Sequence, residues 1–210
     1  MNATGKFIGG GLQHRVFRIS ATRVRKVPTT RAQKIALIKT WSPRDAKEIW
    51  RLVRQAEHIT KYDLPKIRKI AEGRNLALLG HPKFLSNLRY EQDYAVKLES
   101  YFAQHGLVQN KRMIDKYIES IIAAWRLGFS DMVFNFTKNN GVLKNQAVFI
   151  DLGEFVLEKA RVQELIREKK WLKQWSYTHL EDQRLKKYFA RQMKKKLTLQ
   201  RLEREWGSRS

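Results

Sequence analysis

The chain has 210 residues, of which 42% are apolar, so it is long enough for one domain or two small lobes and too hydrophobic to be disordered throughout. It contains 43 Lys and Arg against 20 Asp and Glu, and the net charge of +23 favours anionic partners: nucleic acid, an acidic membrane surface or phosphorylated substrates. Because there is no cysteine, disulfides, thiolate catalysis and cysteine-based zinc sites are excluded.

Targeting signals are not evident in the sequence. The segment MNATGKFIGGG has no apolar stretch typical of a secretory signal, and no run approaches about 18 uninterrupted apolar residues. The sequence therefore predicts no membrane-spanning helix and a cytoplasmic location, and it leaves the oligomeric state open.

The first part of the chain is predicted to contain three strands and a helix. Phe7-Ile8 and Val16–Ile19 flank a glycine run, and a short polar turn leads to a third strand at Arg23–Val27. Ser42-Pro43 predicts the start of a helix, and apolar residues at helical spacing extend it to about residue 60.

The rest of the chain is predicted to be mostly helical, with one hairpin. We expect short strands at 67–70 and 76–79, helices at 89–104 and 111–127, hairpin strands at 133–137 and 147–150, and a basic helical tail over 156–206. Asn140-Gly141 is the turn signal of that hairpin. Separate β and α blocks predict an α+β fold over 1–210, with an N-lobe at 1–80, a C-lobe at 84–210 and a hinge near 80–83.

The glycine run gives the first indication of phosphate chemistry. Gly9, Gly11 and Val16 are in register with the protein-kinase pattern G-x-G-x-x-G-x-V, and Gly10 lies between the two glycines. His14 stands where the third glycine of that pattern is expected. Glycines let a backbone approach phosphate closely, although a flexible turn between strands is the alternative interpretation.

Lys26 is the second indication. Strand alternation predicts that it lies on the same side as Val24, and a lysine beneath a glycine loop can pair with the α- and β-phosphates of ATP. Such a lysine needs a carboxylate partner, for which we prefer Glu48 on the predicted helix. Glu57 is the competitor, but its spacing predicts that it lies on the opposite helix face. Ordinary surface positions remain the alternative for Lys26 and Glu48.

Two acidic motifs flank the predicted second hairpin. A kinase catalytic loop supplies an Asp followed by an Asn, and an Asp-x-Gly metal ligand comes later in the chain. Asp131 and Asn135 fit the first motif, while Asp151 and Gly153 fit the second. Mg²⁺ prefers carboxylate and amide oxygens together with substrate phosphates, so Asn135 and Asp151 are the predicted metal ligands. A simple turn is the alternative for Asp-Leu-Gly.

Together these segments resemble the PhoP regulatory network protein YrbL family of small kinase-like bacterial proteins. The resemblance runs along nearly the whole chain and rests on Gly9–Phe17, Ala46–Ile49, Leu64–Ile67, Asn135-Phe136 and Ile150–Glu154. It implies a minimal protein-kinase-like two-lobe fold, with a small β-rich N-lobe and a helical C-lobe, that binds ATP and Mg²⁺. By matching positions it implies Lys26 as the phosphate lysine, Glu48 as its partner, and Asn135 and Asp151 as metal ligands.

The catalytic acid departs from the kinase pattern. The spacing H-R-D-x-x-x-x-N puts Ser130 at the Asp position, and Asp131 comes one residue later. Serine cannot act as a carboxylate base at neutral pH. Either a shortened loop brings Asp131 into the catalytic role, or the base is missing. The expected function is an ATP-dependent phosphotransferase for a protein, lipid or small-molecule acceptor, with a pseudokinase-like nucleotide-binding regulator as the alternative.

The basic tail allows a third interpretation, a nucleic-acid-binding or ribosome-associated protein. Trp and Tyr are interleaved with Lys and Arg near 167–196, and such residues neutralise phosphates and stack on bases. We prefer the alternative, in which Trp171, Trp175, Tyr177 and Phe189 pack the tail onto the C-lobe.

Overall fold

The computed structural model describes residues 5–41, 45–72 and 76–208. The chain divides into two compact units: the first runs to Leu76 and includes His81–Tyr94, and the second comprises Ala77–Gly80 and the chain from Ala95 onward. The predicted division near residues 80–83 differs from this one. Residues 81–94 belong to the first unit because their strands pair with its sheet.

The first unit contains one antiparallel sheet in the order β1-β2-β3-β5-β4. Its strands are β1 (Lys6–Gly10), β2 (His14–Arg18), β3 (Arg23–Pro28), β4 (Lys83–Phe84) and β5 (Tyr90–Asp93). The three predicted N-terminal strands are confirmed. Along β3, Val24 and Lys26 are both buried while Arg25 between them is half-buried, so the predicted alternation is also confirmed.

Three helices accompany this sheet: α1 (Arg31–Trp41), α2 (Ala46–His58) and α3 (Leu64–Ala71). The predicted helix start at Ser42-Pro43 lies outside the described residues. The Asp45 side chain caps α2 by accepting the Glu48 backbone N–H. Ile49 and Val53 of α2 then pack against Ile38 of α1, so α2 buries the apolar face that its periodicity predicts.

The two short strands predicted after α2 are wrong. Residues 67–70 belong to α3, which a π-helical turn at Ile59–Asp63 joins to α2, and Ala77–Leu79 is a 3₁₀ turn. Pro65 stands in the first turn of α3, directly after the π-helical turn. Leu64, Ile67 and Ala71 are buried at helical spacing, so the apolar period was 3.6 rather than 2.

The second unit is mainly helical and carries two small antiparallel sheets, β6-β8-β9 and β7-β10. Its strands are β6 (Val96–Lys97), β7 (Ser130–Asp131), β8 (Asn140–Leu143), β9 (Gln146–Phe149) and β10 (Phe155–Val156). Its helices are α4 (Leu98–Gln104), α5 (Leu107–Arg126), α6 (Phe136–Asn139), α7 (Lys159–Arg167), α8 (Trp175–Thr178), α9 (Gln183–Lys196) and α10 (Leu199–Glu205). The helix predicted over 89–104 forms only from Leu98, because Tyr90–Asp93 pairs in a sheet.

These elements confirm the α+β class, with α5 and the basic helical tail as predicted. Across residues 5–41, 45–72 and 76–208, every helix is either too short or too polar to cross a lipid bilayer.

The hairpin of the second unit turns at a different place from the one predicted. Lys144 and Asn145 form its turn, and both have positive φ, 47° and 60°, as a type I′ hairpin turn requires. Gly141 instead lies within β8. A Cβ there would come within 2.8 Å of the Ala95 Cβ and 2.9 Å of the Val96 carbonyl oxygen, so this glycine permits close strand packing.

The strand predicted at 133–137 is also wrong. Phe134 has a φ of 53°, which takes the chain out of the extended conformation, and α6 begins at Phe136. Phe134 in the resulting loop and Phe136 at the start of α6 are both buried in the core, although neither lies on a strand face.

An aromatic cluster joins α5, α6 and α9. The Phe136 and Phe189 rings stack with centroids 4.3 Å apart, and the Tyr117 ring lies 5.6 Å from Phe136. All three side chains are fully buried. Because large buried aromatics dominate core energetics, this cluster fixes the tail helix α9 against α5.

We expect Phe189→Ala to destabilise the second unit by about 3–5 kcal/mol, because it removes a buried ring and leaves a cavity. Phe7→Ala is the matched control, since Phe7 is 53% exposed while Phe189 is 0% exposed. Urea unfolding monitored by circular dichroism measures both variants. Equal losses would show that the cluster does not hold the unit together.

Candidate functional site

The glycine run lies where β1 meets β2. Gly9 has a φ of 150° beside a bulge in β1, a conformation that L side chains rarely adopt. Gly11 is tied down: its N–H donates to the His14 carbonyl at 2.8 Å, and its own carbonyl accepts the Thr29 hydroxyl at 2.8 Å. No described atom lies within 4 Å of a Cβ built on Gly9 or Gly11, so both residues face open space that a phosphate can approach.

Lys26 lies on β3, directly opposite Val16 of β2. Its side chain is only 6% exposed, and its Nζ lies 5.5 Å from the centroid of the Tyr90 ring. A lysine this buried is not an ordinary surface residue. The structure therefore favours a specific role for Lys26 over the surface interpretation.

Glu48 lies in the first turn of α2, where Arg51 engages it through two hydrogen bonds. Arg51 Nε donates to one carboxylate oxygen at 2.7 Å, and Arg51 Nη2 donates to the other at 2.8 Å. Glu57 is paired with Arg31 of α1 at 2.8 Å. The pairing of Glu48 with Lys26 stays a prediction.

Asp131 lies on β7 and is 2% exposed. Its Oδ1 accepts the backbone N–H of Val133 at 3.0 Å and of Phe134 at 2.7 Å, and its Oδ2 accepts the Tyr117 hydroxyl at 3.3 Å. The carboxylate thus organises the loop that follows it.

Burial raises the pKa of Asp131 to about 6, against the partial opposition of its three hydrogen bonds. The negative charge of Asp151 adds to this increase in pKa. The same burial, together with the charge of Asp131, raises the pKa of Tyr117 well above its ordinary value.

Ser130, at the position of the kinase Asp, is fully buried, and its Oγ accepts the Trp125 indole N–H at 2.9 Å. Its role in this fold is to satisfy a buried indole donor on α5. Ser130 is therefore engaged in the core, and its hydroxyl cannot act as a carboxylate base at neutral pH.

Asn135 precedes α6, and its Oδ1 accepts a hydrogen bond from the Ser176 hydroxyl of α8. The Ser176 Oγ also accepts the Thr137 N–H at 3.1 Å and lies 2.8 Å from the Thr137 hydroxyl. Ser176 is 41 residues from Asn135 in sequence and lies in no recognisable motif. Sequence analysis missed it because only the tertiary fold brings it to the loop.

Asp151 follows β9 at the start of the Asp-Leu-Gly segment. Its Oδ1 accepts the Gly153 N–H at 3.1 Å, while its backbone N–H donates to the Asn139 carbonyl at 3.3 Å. Its Oδ2 accepts no hydrogen bond from any residue that the structure describes. The Asn139 side-chain amide donates to Glu154, a second residue that sequence analysis did not assign.

These donors fit a magnesium ion. Asp151 supplies a carboxylate oxygen, and the Asn135 amide oxygen has a second lone pair besides the one that accepts Ser176. Within the described ranges no three His, Asp or Glu side chains converge into a protein-only metal cage. Mg²⁺ does not need one, since it binds through one or two carboxylates plus substrate phosphates and waters.

Of the four tail aromatic residues predicted to pack onto the second unit, two are buried, Tyr177 is half-buried and Trp175 is exposed. Trp171 and Phe189 are buried, which confirms the packing interpretation for these two. Trp175 is 45% exposed, but its ring stacks on His179 at 4.6 Å and lies 4.5 Å from the Lys138 ammonium.

A scan of the sequence against protein-family models gave no match, and a search of curated proteins gave none either. The resemblance to the YrbL family therefore stays a prediction that rests on the motifs themselves. The structure defines the class of protein as an α+β chain of two compact units.

We expect Asp131→Asn to change how stability depends on pH. The folded-state pKa of about 6 lies above the ordinary 3.8, so Asp131 stabilises the fold fully below pH ~4, and that contribution is lost as pH rises through about 6. Between pH 4 and 7 the free energy of unfolding of wild type should therefore fall by up to about 3 kcal/mol relative to that of Asp131→Asn. Urea unfolding at several pH values measures this.

The control for this experiment is Glu181→Gln, at an exposed position shortly before α9, which should track wild type at every pH. A constant difference between Asp131→Asn and wild type over that range would contradict a raised pKa.

Proposed function

We propose that this protein binds ATP with Mg²⁺ and transfers the γ-phosphoryl group to a protein, lipid or small-molecule acceptor. The observation that carries the proposal lies in the second unit. Asp131 and Asn135 lie in one loop, and the backbone N–H of Asp151 donates at 3.3 Å to the carbonyl of Asn139, the last residue of the helix α6 that follows Asn135. Two carboxylates and an amide oxygen are the donor set that a kinase-like site uses.

The first unit supplies the groups that suit phosphate binding. The open backbone at Gly9 and Gly11 can approach phosphate oxygens, and Gly10 completes the run. Lys26, buried opposite Val16, would neutralise the α- and β-phosphates, and Glu48 would orient it. A lysine charge within a desolvated strand interacts more strongly with an anion than a surface lysine does.

Asp151 and Asn135 would hold the metal ion. Mg²⁺, when bound, neutralises charge on the β- and γ-phosphates and so favours departure of the γ-phosphoryl group. Ser176 fixes the Asn135 amide so that its oxygen is oriented before the metal arrives. The Gly153 N–H does the same for Asp151 and leaves Oδ2 for the ion.

Asp131 would orient the acceptor hydroxyl through Oδ2, whose hydrogen bond to Tyr117 is long at 3.3 Å and is the weaker of its contacts. A pKa near 6 suits a group that accepts a proton near neutral pH. We place this reaction in the cytoplasm, because a chain without cysteine forms no disulfides and so needs no oxidising compartment.

A second candidate function is nucleotide binding without transfer, as in a pseudokinase-like regulator. The burial of Asp131 favours it, because a carboxylate that is 2% exposed is poorly placed to receive a substrate hydroxyl. Ser130 points in the same direction, because it replaces the catalytic Asp of the kinase pattern and its hydroxyl is engaged by the Trp125 indole.

Nucleotide binding is tested by thermal unfolding with ATP, with and without Mg²⁺. We expect stabilisation of about 2.7 kcal/mol at a hundredfold excess over Kd, which Lys26→Met and Asp151→Asn should remove. Lys69→Met and Glu181→Gln, at exposed positions, are the matched controls and should keep it. A shift that survives in both site variants would place the nucleotide elsewhere.

Phosphoryl transfer is tested by ATP turnover in Asp131→Asn. If Asp131 orients the acceptor, turnover should fall by about 10²-fold or more while the Mg²⁺-dependent thermal shift is kept. Turnover equal to wild type would remove Asp131 from the mechanism. A thermal shift with no turnover in wild type, for any acceptor including water, would support the second candidate.

A further inference from the structure

Helix α9 has two faces of opposite character. Leu185, Phe189 and Met193 are buried and recur every fourth residue. The exposed basic residues of α9, which we call the α9 row, are Arg184, Lys187, Arg191, Lys194 and Lys195. At 3.6 residues per turn the α9 row occupies an arc of about 100°, opposite the buried face, and spans about 16 Å of helix.

The α9 row carries almost no compensating charge. Arg184 alone has an acidic neighbour, Asp182 at 3.5 Å, while the other four form no ion pair with any residue in the described part of the chain. The nearby basic residues Lys196 and Arg201, by contrast, are paired with Glu119. Acidic partners thus lie close to the α9 row, yet four of its five residues are unpaired within the described part of the chain.

This arrangement is unfavourable for an isolated helix. Like charges repel at i,i+3 and i,i+4, and the α9 row repeats that spacing from Arg184 through Lys187 to Arg191 and on to Lys194 and Lys195. The helix dipole favours the two C-terminal lysines but opposes Arg184 in the first turn. A ligand of opposite charge would turn this repulsion into binding.

We propose that the α9 row binds the phosphate backbone of double-helical nucleic acid, without regard to sequence. A duplex carries one negative charge per about 1.7 Å of its axis when both strands are counted, so a stretch of about 16 Å presents roughly nine phosphates. The α9 row is one-dimensional and of that length, and it bears five positive charges.

Single-stranded nucleic acid fits the α9 row less well, because its binding relies on exposed aromatic side chains on which bases stack. Both aromatic residues of α9 are already engaged. Phe189 is buried, and the Tyr188 hydroxyl donates to Asp115 at 2.6 Å while the Arg191 guanidinium lies over its ring.

A flat anionic membrane also fits less well. The apolar face of α9 is buried in the core, so it cannot insert into lipid as a membrane-surface helix does. Asp115 and Glu119 of α5 lie beside Lys196 and are partly exposed, so a flat anionic surface would press against them.

The test uses the full chain and a labelled duplex of about 20 base pairs, as DNA and as RNA, over a range of salt concentrations. The row variant changes all five residues of the α9 row to Gln. We expect it to bind at least about tenfold more weakly at low salt, and the slope of log K against log salt to fall by about 4. If the row variant does not fold, the double variant Lys187→Gln with Arg191→Gln replaces it and should lower the salt slope by about 2.

The control variant removes the same charge elsewhere, through Gln substitutions at the exposed residues Lys39, Lys47, Arg54, Lys69 and Arg89. It should stay within about threefold of wild type and keep the salt slope. Equal weakening of the row and control variants would overturn the proposal in favour of net charge. Absence of duplex binding by wild type would also overturn it, as would tighter binding to single strands or to phosphatidylcholine–phosphatidylserine vesicles at equal salt.

Discussion

The contact between Phe136 and Phe189 is the packing interaction on which the second unit's candidate residues depend. Phe136 directly follows Asn135, so the stacked rings fix the end of the loop and with it the position of Asn135. Tyr117 belongs to the same aromatic cluster and donates its hydroxyl to Asp131. One buried cluster therefore positions the side chains at both ends of the loop, which explains how so short a loop can hold a defined geometry.

Holding Asp131 in this way has an electrostatic consequence. The desolvation that anchors the carboxylate also raises its pKa to about 6, and the neighbouring charge of Asp151 adds to the effect. A positively charged ion beside Asp151 would offset that repulsion and lower the pKa of Asp131 again. Metal binding at Asp151, as proposed, would therefore be linked through charge to the protonation of Asp131.

The sequence was sufficient where a local pattern determined the structure. Strand alternation placed Lys26 correctly because β3 is regular, and the period of 3.6 located α5. The sequence was insufficient where a contact between residues distant along the chain determined the structure. Gly141 resembles a turn residue, yet it is needed because Ala95 packs against it, and Ser176 reaches Asn135 only through the tertiary fold. The same reason explains Asp131: its motif was visible in the sequence, while its burial was not.

The two faces of α9 separate the two proposals physically. Phe189 on one face supports the loop that carries Asp131 and Asn135, while the α9 row lies on the opposite face, where the Arg191 guanidinium packs over the ring of Tyr188. Exposed Gln substitutions on a helix preserve its backbone, since Gln is a good helix former. Loss of charge from the α9 row should therefore leave the packing of Phe189 unchanged. Nucleic-acid binding and nucleotide chemistry can then be present or absent independently, because one depends on surface charge and the other on buried geometry.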